Sequence, residues 1–280
     1  MQPVAIVVVT GEANPAVFAL VAGKRPIILH HAAPGAGSFN TEVARAAHRF
    51  RMITGRPQPS VTLAIPDASL IATVEAEVPG LVGQQLLLAG CRAVSETRAA
   101  ARRALGIDQT QSVALLFGAG HSSQDPTTVF TAFRDRPDWL LIVAGKVARH
   151  ADEHAVETWA TPPLVFGGFV DPAFRERVYA AADVSLLSFQ PGYRRNSGTL
   201  MDAVSHGRGV IASDQSFAAD LVKIWGMGTV FPAGSAEGLS LALDSFDAEA
   251  SRRGAVGAQV HLSNKAVAVR HLETFARRPS

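Results

Sequence analysis

The chain has 280 residues, with 26 Lys plus Arg against 24 Asp plus Glu and a formal net charge of +2. Hydrophobic residues at 48% exclude a disordered chain, and the near-balance of charge excludes a strongly basic nucleic-acid binder. A single cysteine, Cys91, excludes an intrachain disulfide and a cysteine-built metal centre, and no apolar run reaches the roughly 18 residues of a membrane span.

The opening residues lack a basic leader and read as a first strand over 4–10. A helix is expected from Asn14-Pro15 to Ala22, a strand over 26–30, and a helix over 41–54 with Val43, Ala46, Ala47 and Phe50 on one face. Pro57, Pro59, Pro66 and Pro79 interrupt the next stretch, where the pattern gives a strand near 61–64 and a helix near 81–89. A short strand over 91–95 and a helix over 96–105, stopped by Gly106, lead to the polar segment Asp108-Gln-Thr-Gln111. A second cycle follows. Strands are expected at 113–117, 140–144, 164–166, 184–187, 210–212 and 229–231, with helices from Pro126, over 172–182, over 199–205 and over 236–246. Near-continuous apolar strands alternating with helices predict parallel sheets covered on both faces. The fold class is therefore α/β, two Rossmann-like units, divided as 1–108 and 109–280.

In open parallel sheets, ligands lie beyond the carboxyl ends of the strands. Two segments there stand out. Gly118-Ala-Gly-His-Ser-Ser-Gln-Asp-Pro126 allows close backbone approach before a helix start, yet it is neither a Walker loop nor a dinucleotide fingerprint. The same residues would also make an ordinary strand-to-helix turn. Phe189-Gln-Pro-Gly-Tyr-Arg-Arg-Asn-Ser-Gly-Thr-Leu-Met-Asp202 places Arg194 and Arg195 before a helix capped by Asn196 or Ser197. The N–H groups of Gly198 and Thr199 would face a diphosphate, with the guanidinium groups as forked partners and Asp202, in the first turn, on a ribose hydroxyl. The alternative is an exposed Arg-rich turn before a capped helix.

These residues carry a resemblance. Val165-Phe-Gly-Gly-Phe-Val170, Tyr179-Ala-Ala-Ala-Asp-Val-Ser-Leu-Leu187 and Ser197-Gly-Thr-Leu-Met-Asp-Ala-Val-Ser-His-Gly-Arg-Gly-Val-Ile-Ala-Ser-Asp214 resemble the C-terminal half of a GT-B glycosyltransferase of the retaining type called family 4. Val94-Ser-Glu-Thr97, Leu115-Leu-Phe-Gly118 and Gly226-Met-Gly-Thr-Val-Phe231 fit the same order, so the likeness spans about residues 90–240. It implies a glycosyltransferase taking a nucleotide-diphosphate sugar as donor, without a metal or other cofactor, and an acceptor it does not identify. By motif, Gly118, Gly120 and His121 would cover the diphosphate, and Phe169 and Val170 would contact the base. Arg195, Asn196, Ser197, Gly198 and Thr199 would hold the diphosphate, and Asp202 the ribose. His30-His31 resembles the end of the strand whose His faces the sugar, which assigns His31 as catalytic, and Arg194 is assigned with it because, with Arg195, it could replace the positive charge missing from the first loop. The family usually carries two Glu where Arg194 and Asp202 stand, and an Arg and a Lys near Ala119 and Gln124.

The stretch before the junction is shorter than the family's first domain, which predicts an incomplete N-terminal sheet with an edge covered by a second copy or a partner subunit. The resemblance also implies a cytoplasmic protein, or one held peripherally on the inner face of the cell membrane. No nucleic-acid partner is expected. A non-catalytic relative that binds nucleotide and supports a partner is the competing expectation. Outside these motifs, the spacing of His150, Asp152, Glu153 and His154 spreads them too widely for a metal, Asp183 reads as orienting a turn, His206 as a helix cap and Cys91 as a core residue.

Overall fold

The structure is a computed structural model that describes residues 6–9, 27–30, 61–65, 67–77, 82–85, 91, 93–194 and 197–276. The helices expected over 14–22 and 41–54 lie outside the described residues, as do His31, Arg195 and Asn196. The chain forms two compact units, one of residues 1–89 with 264–280 and one of residues 90–263. The division falls upstream of the junction expected near residue 108. The reason is that the helix over 98–105 is tied by side chains to the second unit, as described below.

In the first unit, strands β1 (Ile6–Val9), β2 (Ile27–His30), β3 (Val61–Ile65) and β4 (Val82–Gln85) form a parallel sheet in the order β1-β2-β3-β4. His30 closes β2 in register with Val9 and Ala64. Helix α1 (Ile71–Glu77) continues a 3-10 turn whose cap, Asp67, accepts from the Ser69 N–H at 3.0 Å. The segment expected as a helix near 81–89 instead contributes β4, with Thr62 opposite Val82. Val82-Gly-Gln-Gln85 carries no strand periodicity of its own, and pairing along β3 decides it. Residues 93–97 are irregular rather than a strand, and Cys91 makes one isolated bridge with Ser263.

The second unit begins with α2 (Arg98–Leu105) and then builds β5 (Ser112–Phe117), α3 (Pro126–Phe133), β6 (Trp139–Gly145), β7 (Leu164–Gly167), α4 (Pro172–Ala181), β8 (Val184–Leu187), α5 (Gly198–Ser205) and β9 (Gly209–Ser213). It closes with α6 (Phe217–Trp225), β10 (Gly228–Phe231), α7 (Ala236–Asp244) and α8 (Ala248–Leu262), after which α9 (Asn264–Ala276) belongs to the first unit. All six strands are parallel, in the order β10-β9-β8-β5-β6-β7. Alternate residues of β5 face opposite sides. Ala114 and Leu116 pack with Phe130, Phe133, Leu239 and Leu243, while Phe117 reaches Tyr179 with ring centroids 5.4 Å apart. Each of α2 to α8 starts on a capping side chain: Thr97, Asp125, Asp171, Ser197, Ser216, Ser235 and Asp247. Each cap stabilises its helix by about 1 kcal/mol.

Arg102 is fully buried. Its guanidinium donates to the carbonyls of Ala181 (2.9 Å), Asp108 (3.0 Å), Gln109 (3.1 Å) and Gln111 (2.6 Å), and to Asp183 Oδ2 (2.7 Å). Asp183 also accepts from Arg98 Nε (3.0 Å) and the Val113 N–H (2.9 Å). This network ties α2 to the start of β5 and the end of α4.

Candidate nucleotide-diphosphate site

The strand order of the second unit reverses between β5 and β8. The chain adds β6 and β7 on one side of β5, then crosses over to place β8 on the other. That reversal is the point where doubly wound sheets open a ligand crevice. β5 pairs with β6 over six positions but with β8 over only two, Ala114 with Val184 and Leu115 with Ser185. Beyond them begin the two segments singled out in the sequence. They are hydrogen-bonded to each other: the Asp125 N–H donates to the Ser188 carbonyl (3.0 Å) and the Gln190 N–H to the Ser123 carbonyl (2.9 Å).

The first loop depends on glycine. A Cβ on Gly118 would lie 2.1 Å from the Gln124 amide. Gly120 has φ +65°, donates its N–H to Gln124 Oε1 (2.7 Å) and accepts from Arg149 Nη2 (2.7 Å). Behind it, Gly145 has φ +96°, and a Cβ there would lie 2.4 Å from the Gly118 oxygen. The Gly118 and Gly120 N–H groups are thus spent within the protein, Gly118 on the Ala144 carbonyl at 3.1 Å, and the exposed His121 lies beyond them. The cations near this loop, Lys146 and Arg149, sit on the turn after β6. Neither carries a spacing signal in the sequence, where the apolar strand simply ends at Gly145.

The second loop leads into α5. The buried Ser197 caps it, its Oγ 2.6 Å from Thr199 Oγ1 and 3.4 Å from the Leu200 nitrogen. Among the described residues, no hydrogen bond is made by the N–H of Gly198 or Thr199, the first-turn donors that helix geometry leaves over. Arg194 precedes them, and its Nη2 donates to Asp220 Oδ2 on α6 at 2.6 Å. Asp220 carried no signal in the sequence, because it is brought up by a helix the patterning did not single out. Asp202 lies in the second turn of α5 rather than the first. It is largely buried, with Oδ2 3.8 Å from Arg175 Nη1 on α4. The loop base is pinned by Ser213, whose Oγ accepts from the Phe189 N–H (3.0 Å).

Phe169 and Val170 follow β7 at the same carboxyl edge, beyond Gly168 with φ +83°. The Phe169 side chain is 89% exposed, whereas Val170 is half-buried. His150, read as too widely spaced from its neighbours for a metal, pairs with Glu153 (3.1 Å), and the His154 ring stacks on Phe130. Among the described residues no group of three potential ligands comes together, and no helix is long and apolar enough to cross a membrane.

The two parallel α/β units and the strand reversal of the second define a GT-B-like fold, and solved structures share it. The crystal structure of Anabaena HepE in complex with UDP superposes with a TM-score of 0.69 at 16% identity, covering 94% of this chain and 75% of that one. Sucrose-phosphate synthase from Thermosynechococcus elongatus gives 0.65 at 12% identity and covers 98% of both chains. WaaG, a glycosyltransferase involved in lipopolysaccharide biosynthesis, gives 0.59 at 15%, covering 97% of this chain and 85% of that one. No known protein-family pattern matches the sequence, and no curated protein sequence does.

Proposed function

We propose that the second unit binds a nucleotide-diphosphate sugar at the β5/β8 reversal and that the protein is a retaining, metal-independent glycosyltransferase. The observation that carries this reading is the meeting of two loops at that reversal, one glycine-dependent and one opening a helix whose first N–H groups are unspent. HepE, similar in fold, was crystallised with UDP. In the proposed complex the diphosphate lies on Ser197, Gly198 and Thr199, and the exposed face of Phe169 with Val170 receives the base. Asp202 holds the ribose. As the bond from sugar to diphosphate breaks, negative charge grows on the diphosphate. The helix N-terminus and Arg194 offset it without reorganising, which is electrostatic catalysis. Pairing with Asp220 occupies one edge of Arg194, and a guanidinium has five N–H donors. Arg195 and Asn196 follow Arg194 in the sequence. The place of His31 beside the sugar rests on the resemblance alone.

One observation favours a second reading, a nucleotide-binding protein without transfer activity. Gln124, near a position where the family has a cation, spends its amide on Gly120 and Phe117. One experiment separates the two. A panel of nucleoside diphosphates and their sugars is screened by thermal shift, since a ligand of the folded state raises its apparent stability. The donor that binds is then assayed for nucleoside-diphosphate release. Binding with release supports the transferase, binding without release supports the second reading, and a flat panel overturns both.

A further inference from the structure

The amino-terminal edge of the same sheet holds a cavity of about 530 Å³, lined by residues of the second unit that include Cys91, Ser205, His206, Arg208, Arg252 and Gln259. It lies at the opposite end of α5 from the proposed donor site, because α5 begins beyond β8 and ends at His206, just before β9.

Arg208 is the unexplained group. Its Nε is buried with no hydrogen-bond partner, and among the described residues its guanidinium makes no ion pair. The neighbouring acceptors are already taken. The Val204 and Ser205 carbonyls accept from Gln259 Nε2 at 2.6 and 3.0 Å, the Ala203 carbonyl from the Arg208 N–H at 2.9 Å, and the Met201 carbonyl from Ser205 Oγ at 2.7 Å. The carboxylates are taken as well. Asp183 is held by Arg98, Arg102 and the Val113 N–H, Glu249 pairs with Arg252, and Glu176 accepts from Ser95 and Glu96. Arg98, Arg102 and Arg252 thus pair with two of these carboxylates, and among the described residues Arg208 pairs with none. Burial and the charges of Arg98, Arg102 and Arg252 push the Arg208 guanidinium down to about 10, although Asp183 opposes them. Among the described residues this half-buried cation makes no ion pair, and leaving a desolvated charge without a direct partner is costly.

We infer that this cavity binds a small phosphate-bearing molecule, held by Arg208 from within and Arg252 at the rim. Two guanidinium groups suit a dianion, and guanidinium forks match phosphate geometry. The volume falls in the range of small-molecule sites and exceeds what a bare phosphate needs, so an organic phosphate ester fits better than the inorganic ion.

Cys91 supplies a local reporter, since it is the chain's only cysteine and lines the cavity. Burial pushes its thiol up, so alkylation is run at pH 9 with iodoacetamide, a neutral reagent. Glycerol 3-phosphate, with inorganic phosphate as the second arm, should slow alkylation saturably. The rate should fall by about tenfold at ten times the dissociation constant, because only the empty fraction reacts. Arg208→Gln should weaken protection about 10- to 100-fold, the loss of a charge-assisted contact. Arg252→Gln, at a half-exposed position, keeps the test informative if the Arg208 variant fails to fold, and should also weaken protection. Calorimetric titration reads the same binding without the thiol. Unchanged alkylation together with no binding heat for either phosphate would overturn the proposal. So would equal protection in wild type and both variants.

Discussion

The two edges of the second unit's sheet are held by different chemistry. At the carboxyl edge the contacts centre on close backbone approach and short polar side chains: Gly118 and Gly145 touch where no Cβ fits, and the Ser213 hydroxyl pins the Phe189 N–H. At the amino edge they are arginine against carbonyl, with Arg102 alone taking four carbonyls and a carboxylate. The cause is the parallel α/β arrangement itself. Every helix that follows a strand begins at one edge with N–H groups to spare and ends at the other with carbonyls to spare. The first edge therefore attracts anions from solution, while the second recruits cations from the chain. Arg208 departs from that pattern, because its neighbouring carbonyls are already occupied.

The largest expected effect lies at the amino edge. Arg102→Met removes a buried cation, takes one partner from the Asp183 carboxylate and leaves several carbonyls without their donor. Asp183 keeps Arg98 and the Val113 N–H, so the loss comes mainly from the carbonyls left without a donor and should be about 2–4 kcal/mol in denaturant unfolding. A loss under about 1 kcal/mol would show that the edge is not held this way. At the carboxyl edge, Gly145→Ala forces a side chain into a left-handed position against the Gly118 oxygen. It should cost about 1–3 kcal/mol and displace the first loop, read as weaker binding of whichever nucleoside diphosphate the wild type takes. Next comes Arg194→Ala, expected to weaken that binding about 10- to 100-fold by calorimetry. Asp220→Asn provides the contrast. Removing the competing carboxylate should leave affinity intact or raise it by up to about fivefold, the worth of a partly exposed pair.

The smallest effect is one of pH. Hydrogen bonds from the Ser95 and Glu96 N–H groups and the Ser95 hydroxyl hold the Glu176 carboxyl down at about 2. The stability it contributes is therefore present above about 4.5, the ordinary Glu range, and is lost as pH falls through about 2. Wild type and Glu176→Gln should differ in unfolding midpoint near neutrality and converge in that acid window.

Sequence patterning reaches the first of these edges well and the second poorly. The strands of the second unit are apolar runs closed by glycine or small polar residues, so β5 to β10 and the loops after β5 and β8 can be read from periodicity alone. Their meeting follows from strand order, which needs only the crossover from β7 to β8. The segment 82–85 has no such signature, and its pairing with β3 is set by tertiary contact. Arg102 looks like a solvated helix residue until its carbonyl partners, far away in sequence, fold around it. Asp220 and Arg149 were hidden for the same reason, since a long charged side chain finds its partner in space and leaves no spacing to read. Asp202 illustrates a smaller limit: shifting the helix start by one residue moves a side chain from the first turn to the second.

The chain passes twice between its units, near residues 89–90 and 263–264, and Cys91 and Ser263 form a bridge beside the two crossings. The second unit is contiguous, whereas the first takes α9 from beyond it. The first unit is therefore complete only once residues beyond 263 are made, whereas the second needs none of them. The portion synthesised first is the last to be finished. A single proteolytic nick at either crossing would split the chain in two, leaving residues 1–89 and 264–280 of the first unit held together only by non-covalent contact.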